Sequence, residues 1–164
     1  MMGVWWQEVG DTVRHEFSDL PDAAGVTRIT LRLLIAAILG GLLGFERERK
    51  GKAAGLRTHM LVALGAALFV LIPQQAGVSD ADLTRVLQGL VAGIGFLGAG
   101  TIIKGSGDEE IKGLTTAAGI WLTAAIGVAA GMGREATAVL STLIALVILY
   151  TIPKIARRFE NRGR

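Results

Sequence analysis

Apolar residues run almost unbroken through five stretches of this 164-residue chain, at positions 29–45, 58–76, 86–103, 114–132 and 136–152. Each is about 17 to 19 residues long, the lower part of the range that lets a helix cross a bilayer. Polar residues gather between the stretches instead of recurring inside them. The pattern predicts five membrane-spanning helices. Helices this short need a thin local bilayer or flanking cations that reach the interface, and Arg28, Arg32, Arg57, Arg85 and Lys154 are placed for that. Arg32 lies one turn inside the first stretch, where it either snorkels to the interface or serves as a functional charge.

A different period precedes the first stretch. Over residues 4–20, Trp6, Val9, Val13 and Phe17 recur at helical spacing, with Glu8, Asp11, Arg14, Glu16 and Asp19 between them. This reads as an amphipathic helix. Trp5 and Trp6 suit a position flat on the outer membrane interface, and the segment lacks the positive start and cleavage site of a signal peptide. Residues 18–22, with Pro21, form the expected break. The chain therefore divides into an N-terminal amphipathic helix and linker (1–27), a five-helix membrane domain (28–153) and a basic cytoplasmic tail (154–164). The fold class is an all-α membrane bundle.

Charge sets the orientation. Of the 17 Lys and Arg residues, twelve fall on one side: Arg47, Arg49, Lys50, Lys52, Arg57, Lys104, Lys112 and the five of the tail. Arg14, Arg28, Arg32, Arg85 and Arg134 fall on the other. By the positive-inside rule the N-terminus is outside and the C-terminus inside. The basic residues form no stripe with interleaved aromatics, so nucleic acid is not an expected partner. With 23 Gly and no Cys, the composition favours closely packed membrane helices and excludes disulfides, thiolate metal sites and cysteine nucleophiles.

Candidate chemistry lies in four places. At the inner boundary, Glu46 and Arg47 end the first span, while Arg57, Thr58 and His59 open the second. These residues form either a hairpin closed by surface ion pairs or a buried polar cluster of Glu46, Arg57 and His59. In the third span Gly89, Gly93, Gly95, Gly98 and Gly100 create small-residue faces. Those faces allow close helix approach, or loosen the helix so that unwound carbonyls face an ion or water. On the outer face Asp82 fits a helix N-cap with Arg85 in the first turn, and Asp80 with Asp82 is a weak candidate divalent-cation site. Thr115 and Thr116 open the fourth span, where their hydroxyls are expected to bond their own backbone. Trp121, mid-span, is expected against a glycine face. One membrane histidine, with no paired carboxylates at one depth, argues against an enzyme, and no cofactor is expected.

The stretches GGLLGFERE (40–48), AGLRTHMLVALGAALF (54–69), DLTR (82–85), GLVAGIGFLGAGTIIK (89–104) and KGLTTAAGIWLTAAIGVAAG (112–131) together resemble the membrane domain of the MgtC/SapB family of bacterial inner-membrane proteins. Leu83 stands where the family pattern usually has Pro, and the basic residue at Lys112 is kept. The resemblance implies a role in adaptation to low magnesium and, in pathogens, survival inside host cells. In some members that role is attributed to restraining the proton-translocating ATP synthase. The family's motif residues map onto Glu46, Arg47, Arg57, Thr58, His59, Asp82, Arg85, the glycines from 93 to 100, Thr115 and Thr116. Many members carry a cytoplasmic domain after the fifth span, which this chain is expected to lack. The resulting expectation is a non-enzymatic homo-oligomer of the inner membrane that regulates another membrane complex. The alternative is an oligomeric magnesium or proton transporter or channel. The third span is expected to be the helix against which the others pack.

Overall fold

The computed structural model describes residues 2–18, 22–104 and 111–160. Six helices follow one another: α1 (Met2–Glu16), α2 (Ala23–Arg49), α3 (Leu56–Gln75), α4 (Asp80–Ala99), α5 (Leu114–Gly131) and α6 (Glu135–Glu160). Between α4 and α5 a short antiparallel ladder pairs β1 (Ile103–Lys104) with β2 (Ile111–Lys112), Ile103 opposite Lys112. The chain separates into two compact units, Met1–Leu31 and Arg32–Arg164.

In the first unit, α1 exposes Trp5, Trp6, Val9 and Val13, the apolar stripe anticipated from its period. Ser18 N–H returns to His15 O at the end of this helix. The expected break falls largely on residues 19–21, which lie outside the described residues. The start of α2 is fixed by Asp22, whose Oδ1 accepts from the Gly25 N–H at 2.6 Å.

Among the described residues, four helices are long and apolar enough to cross a membrane: Ala23–Arg49, Leu56–Gln75, Leu114–Gly131 and, within α6, Glu135–Ile155. An 18- to 20-residue helix is about 27–30 Å long, matching the hydrocarbon core. α4 has the same length, but Asp80, Asp82, Arg85 and Gln88 lower the hydropathy of its first half. It also begins six residues before the expected stretch and ends earlier. The backbone turns after Ala99, with Thr101 and Ile102 N–H groups returning to Gly98 O and Ala99 O.

In the second unit, α3 and α5 form the centre, correcting the expectation that the third span would. One core cluster joins Ala36, Leu39 and Leu43 of α2 to Ala63, Ala67, Ile126, Ala130, Ala138 and Ala145. A second joins Ala66, Ile120 and Ala124 to Ile94 of α4. Both clusters draw on α3 and α5, and α4 buries only Leu83, Ile94 and Gly98. Small residues make this closeness possible. A Cβ at Gly131 would stand 2.6 Å from Ala67 O, and one at Gly127 would overlap Ala63 O. On α2, a Cβ at Gly40 would stand 2.6 Å from His59 O. Gly40, Gly127 and Gly131 are thus consumed by packing, as close-approach faces are.

α6 continues helical through Pro153, where the sequence suggested a tail; residues 161–164 lie outside the described residues. A proline inside a helix leaves the carbonyl four residues earlier without its N–H partner. Here that oxygen belongs to Leu149, and Lys50 Nζ donates to it at 2.6 Å. At the other end of the bundle, Arg32 Nη1 donates to Gly131 O at 3.0 Å and to Gln74 Oε1 at 3.3 Å, while its Nε lies 3.9 Å from Glu135 Oε1. Arg32 therefore ties the ends of α3 and α5 and the start of α6 together, and does more than snorkel.

Candidate functional site

The hairpin between α2 and α3 is closed by a carboxylate acting as a helix cap. Gly51, at φ +63, turns the chain at the end of α2, and Lys52 N–H returns to Arg47 O. Gly55 precedes α3 with no side-chain cap of its own, so Glu48 supplies one: its Oε2 accepts from the Leu56 N–H at 2.7 Å. A Cβ at Gly55 would stand 2.5 Å from that oxygen, which explains the glycine there.

Inside this turn lies a polar cluster whose membership differs from the expected one. His59 is 1% exposed and Arg47 4%, and the Glu46 side chain is 14% exposed. Arg57 and Thr58 are exposed and stand outside it. Successive helical residues are rotated by about 100°, so the backbone that turns His59 inward turns Arg57 and Thr58 away. Glu46 pairs with Lys50 through Oε1, and its Oε2 lies 3.7 Å from Arg47 Nη1. The His59 ring sits between glycines. Gly44 would place a Cβ 3.0 Å from its Cβ, and Gly119 of α5 would place one 3.6 Å from its Nε2. Its Nδ1 lies 2.9 Å from Gly55 O, while His59 Nε2 and Arg47 Nε have no hydrogen-bond partner among the described residues.

The glycine helix is continuous and not unwound. A Cβ at Gly89, Gly93 or Gly95 would meet nothing within 4 Å; one at Gly98 would touch Ala117 at 3.5 Å, and one at Gly100 only its own turn. Most of the α4 glycine surface is therefore unused within the chain. Trp121 packs against none of these glycines. It is half-exposed and lines a 220 Å³ apolar crevice with Leu90, Val91 and Ile94.

At the N-terminal end of α4 the N-cap is Ser79, not Asp82. Ser79 Oγ accepts from the Asp82 N–H at 3.3 Å, a side-chain N-cap, and its hydroxyl donates to Asp82 Oδ2 at 2.7 Å. Asp82 also binds Arg85. Asp80 is exposed, and no group of three metal-ligating side chains occurs among the described residues.

Thr115 is exposed and Thr116 buried in the first turn of α5. Neither makes the expected hydrogen bond to a backbone carbonyl among the described residues, since the positions four earlier lie before the helix. Thr123 and Thr142, deeper in their helices, do so at 2.8 Å. Thr115 and Thr116 instead share the wall of an 810 Å³ cavity with Arg47, Lys50 and Lys52. Lys50 and Lys52 were missed as site residues. The Glu46–Lys50 spacing of four was a visible signal for the first; nothing in the pattern pointed to the second.

The MgtC family model matches residues 33–158. The chain is 41% identical over 140 residues to Protein SrpB of Synechococcus elongatus, covering 79% of this chain and 77% of that protein. It is 39% identical over 141 residues to the "Putative magnesium transporter YhiD" of Escherichia coli K12, covering 81% of this chain and 64% of that one. Protein MgtC of Brucella abortus is 45% identical over 113 residues, 69% of this chain and 46% of the relative. The matched region thus spans about half the length of that MgtC relative. No solved structure matches the chain significantly.

Proposed function

The chain belongs to the MgtC family, and from that premise we propose that it is a non-enzymatic protein of the bacterial inner membrane, acting in magnesium limitation by helix contact with another membrane complex. Its membrane domain crosses five times, with α4 as the third span, the N-terminus outside and the basic tail inside, as the twelve-to-five distribution of cations supports. The observation that carries the reading is the surface of α4. Gly127 and Gly131 are filled by α3, yet Gly89, Gly93 and Gly95 meet nothing among the described residues. In lipid, where apolar burial drives little, small-residue faces are what let helices associate. The partner is a second copy of the chain or a larger assembly, of which the proton-translocating ATP synthase is the one the family resemblance favours. In pathogens the same role serves survival in the host.

The chain contains no cysteine, so Gly93→Cys offers a unique crosslinking site. In native membranes it should trap a second copy or a membrane subunit of ATP synthase, identified by mass spectrometry. A Gly93→Cys protein that reacts with a small thiol reagent but captures no protein would remove the basis of the reading. A second reading, an oligomeric magnesium or proton pathway, is favoured by the name of the YhiD relative and draws on Asp80 and Asp82. It requires flux of one of those ions in liposomes, which the helix-contact reading does not.

A further inference from the structure

The 810 Å³ cavity lies at the end of the bundle that carries the basic 46–57 segment. The cations Arg47, Lys50 and Lys52 line it together with the apolar Ile148, Ile152 and Pro153 of α6. The first turn of the 18-residue helix α5 lines it as well. Gly113, at φ +98, precedes that turn and provides no side-chain cap, so the leading N–H groups and the positive end of the helix dipole are left for an external acceptor.

A helix terminus alone would not define a site, but Arg47 adds an independent demand. Its side chain is only 4% exposed, and Nε has no hydrogen-bond partner among the described residues. The 3.7 Å separation from Glu46 is too long for a hydrogen bond, and Glu46 is itself engaged by Lys50. A desolvated guanidinium is costly unless an anion completes its fork. A second uncapped donor set faces the same space, with Thr115 and Thr116 hydroxyls beside it.

We propose that this cavity binds a phosphate-bearing anion, held by Arg47, Lys52 and the N-terminus of α5. The volume lies within the range of small-molecule pockets. Arg forks and helix N-termini are the groups that recognise phosphate oxygens. The apolar α6 wall favours a phospholipid headgroup, with an acyl chain along Ile148 and Ile152, over free phosphate.

The test is native mass spectrometry of the full chain from neutral detergent, with phosphatidylglycerol and phosphatidylcholine added in equal amounts. One phosphatidylglycerol should be retained in preference. Lys52→Gln should weaken that preference about fivefold, as expected for one cation at a membrane surface, and Arg47→Met by at least as much. Arg49→Gln, an exposed neighbour whose guanidinium lies over Phe45, should leave it unchanged. Because Arg47→Met can fail to fold, the exposed Lys52 carries the decision. Inorganic phosphate that displaces the lipid, and whose stabilisation of the protein Lys52→Gln abolishes, would retain the site and assign it to the free anion. Equal retention of both lipids without an effect of phosphate, or a preference untouched by Lys52→Gln, would overturn the proposal.

Discussion

The side chain of Lys50 supplies what Pro153 takes away. Leu149 O has no N–H available from its own helix, and the ammonium of Lys50, already paired with Glu46, donates to it. An unsatisfied buried acceptor costs about 1–3 kcal/mol; the Lys50–Leu149 bond is exposed, so Lys50→Met should lower thermal stability in detergent by about 1 kcal/mol or less. Pro153→Ala restores a backbone donor four residues after Leu149. In the Pro153→Ala background the same Lys50→Met change should therefore cost clearly less, a non-additivity that a double-mutant cycle reads directly. Equal costs in both backgrounds would show that Lys50 acts through Glu46 alone. This contact was not legible in the sequence: both residues look like ordinary punctuation at the ends of apolar runs. Arg32 was visible as an odd charge inside a span, but its three acceptors come from distant segments.

At the scale of elements, Gly127 with Gly131 and Gly89 with Gly93 carry the same four-residue spacing and have opposite surroundings. Ala substitution at Gly127 or Gly131 drives a Cβ into the α3 backbone and should cost about 1–3 kcal/mol in thermal unfolding. Gly93→Ala meets open space and should be neutral, or stabilising by up to about 1 kcal/mol from helix propensity. If the α4 face is a contact surface, a bulkier Gly93→Leu should preserve folding and abolish partner capture. The glycine spacing of α4 made a face for close approach legible, but not which helix approaches which. That is decided by three-dimensional packing, in which α3 offers Ala63 and Ala67 opposite α5 while nothing among the described residues is opposite Gly89. The polar cluster failed in the same way. His59 was readable as a polar ring inside an apolar run, whereas the choice of Arg47 over Arg57 depends on helix phase around a turn whose cap, Glu48, has no short-range signature.

For the whole molecule, hydropathy was the most legible feature, because each helix must satisfy a solvent as well as its neighbours. The five apolar stretches coincide with α2 to α6, four of them as clear membrane candidates and α4 as a helix made less apolar by its charged first turns. The expected orientation can be checked with topology reporters. Alkaline phosphatase fused in the segment between α3 and α4 should be active, and fused at residue 53 or after α6 inactive. Activity at the C-terminal fusion would make α4 a non-spanning helix and bring the span number to four.

One consequence concerns biosynthesis. Arg32 and Lys50, near opposite ends of the same bundle, each find an acceptor carbonyl 99 residues further along the chain, Gly131 O and Leu149 O. When the ribosome has delivered only the first two spans, Arg32 has Gln74 and Lys50 has Glu46, but neither has its distant carbonyl. The early helical hairpin must wait in the membrane with two half-satisfied cations. The remaining contacts form only when the last third of the chain arrives, so a nascent protein stalled before α5 should present quality-control proteases with a looser hairpin than the finished bundle.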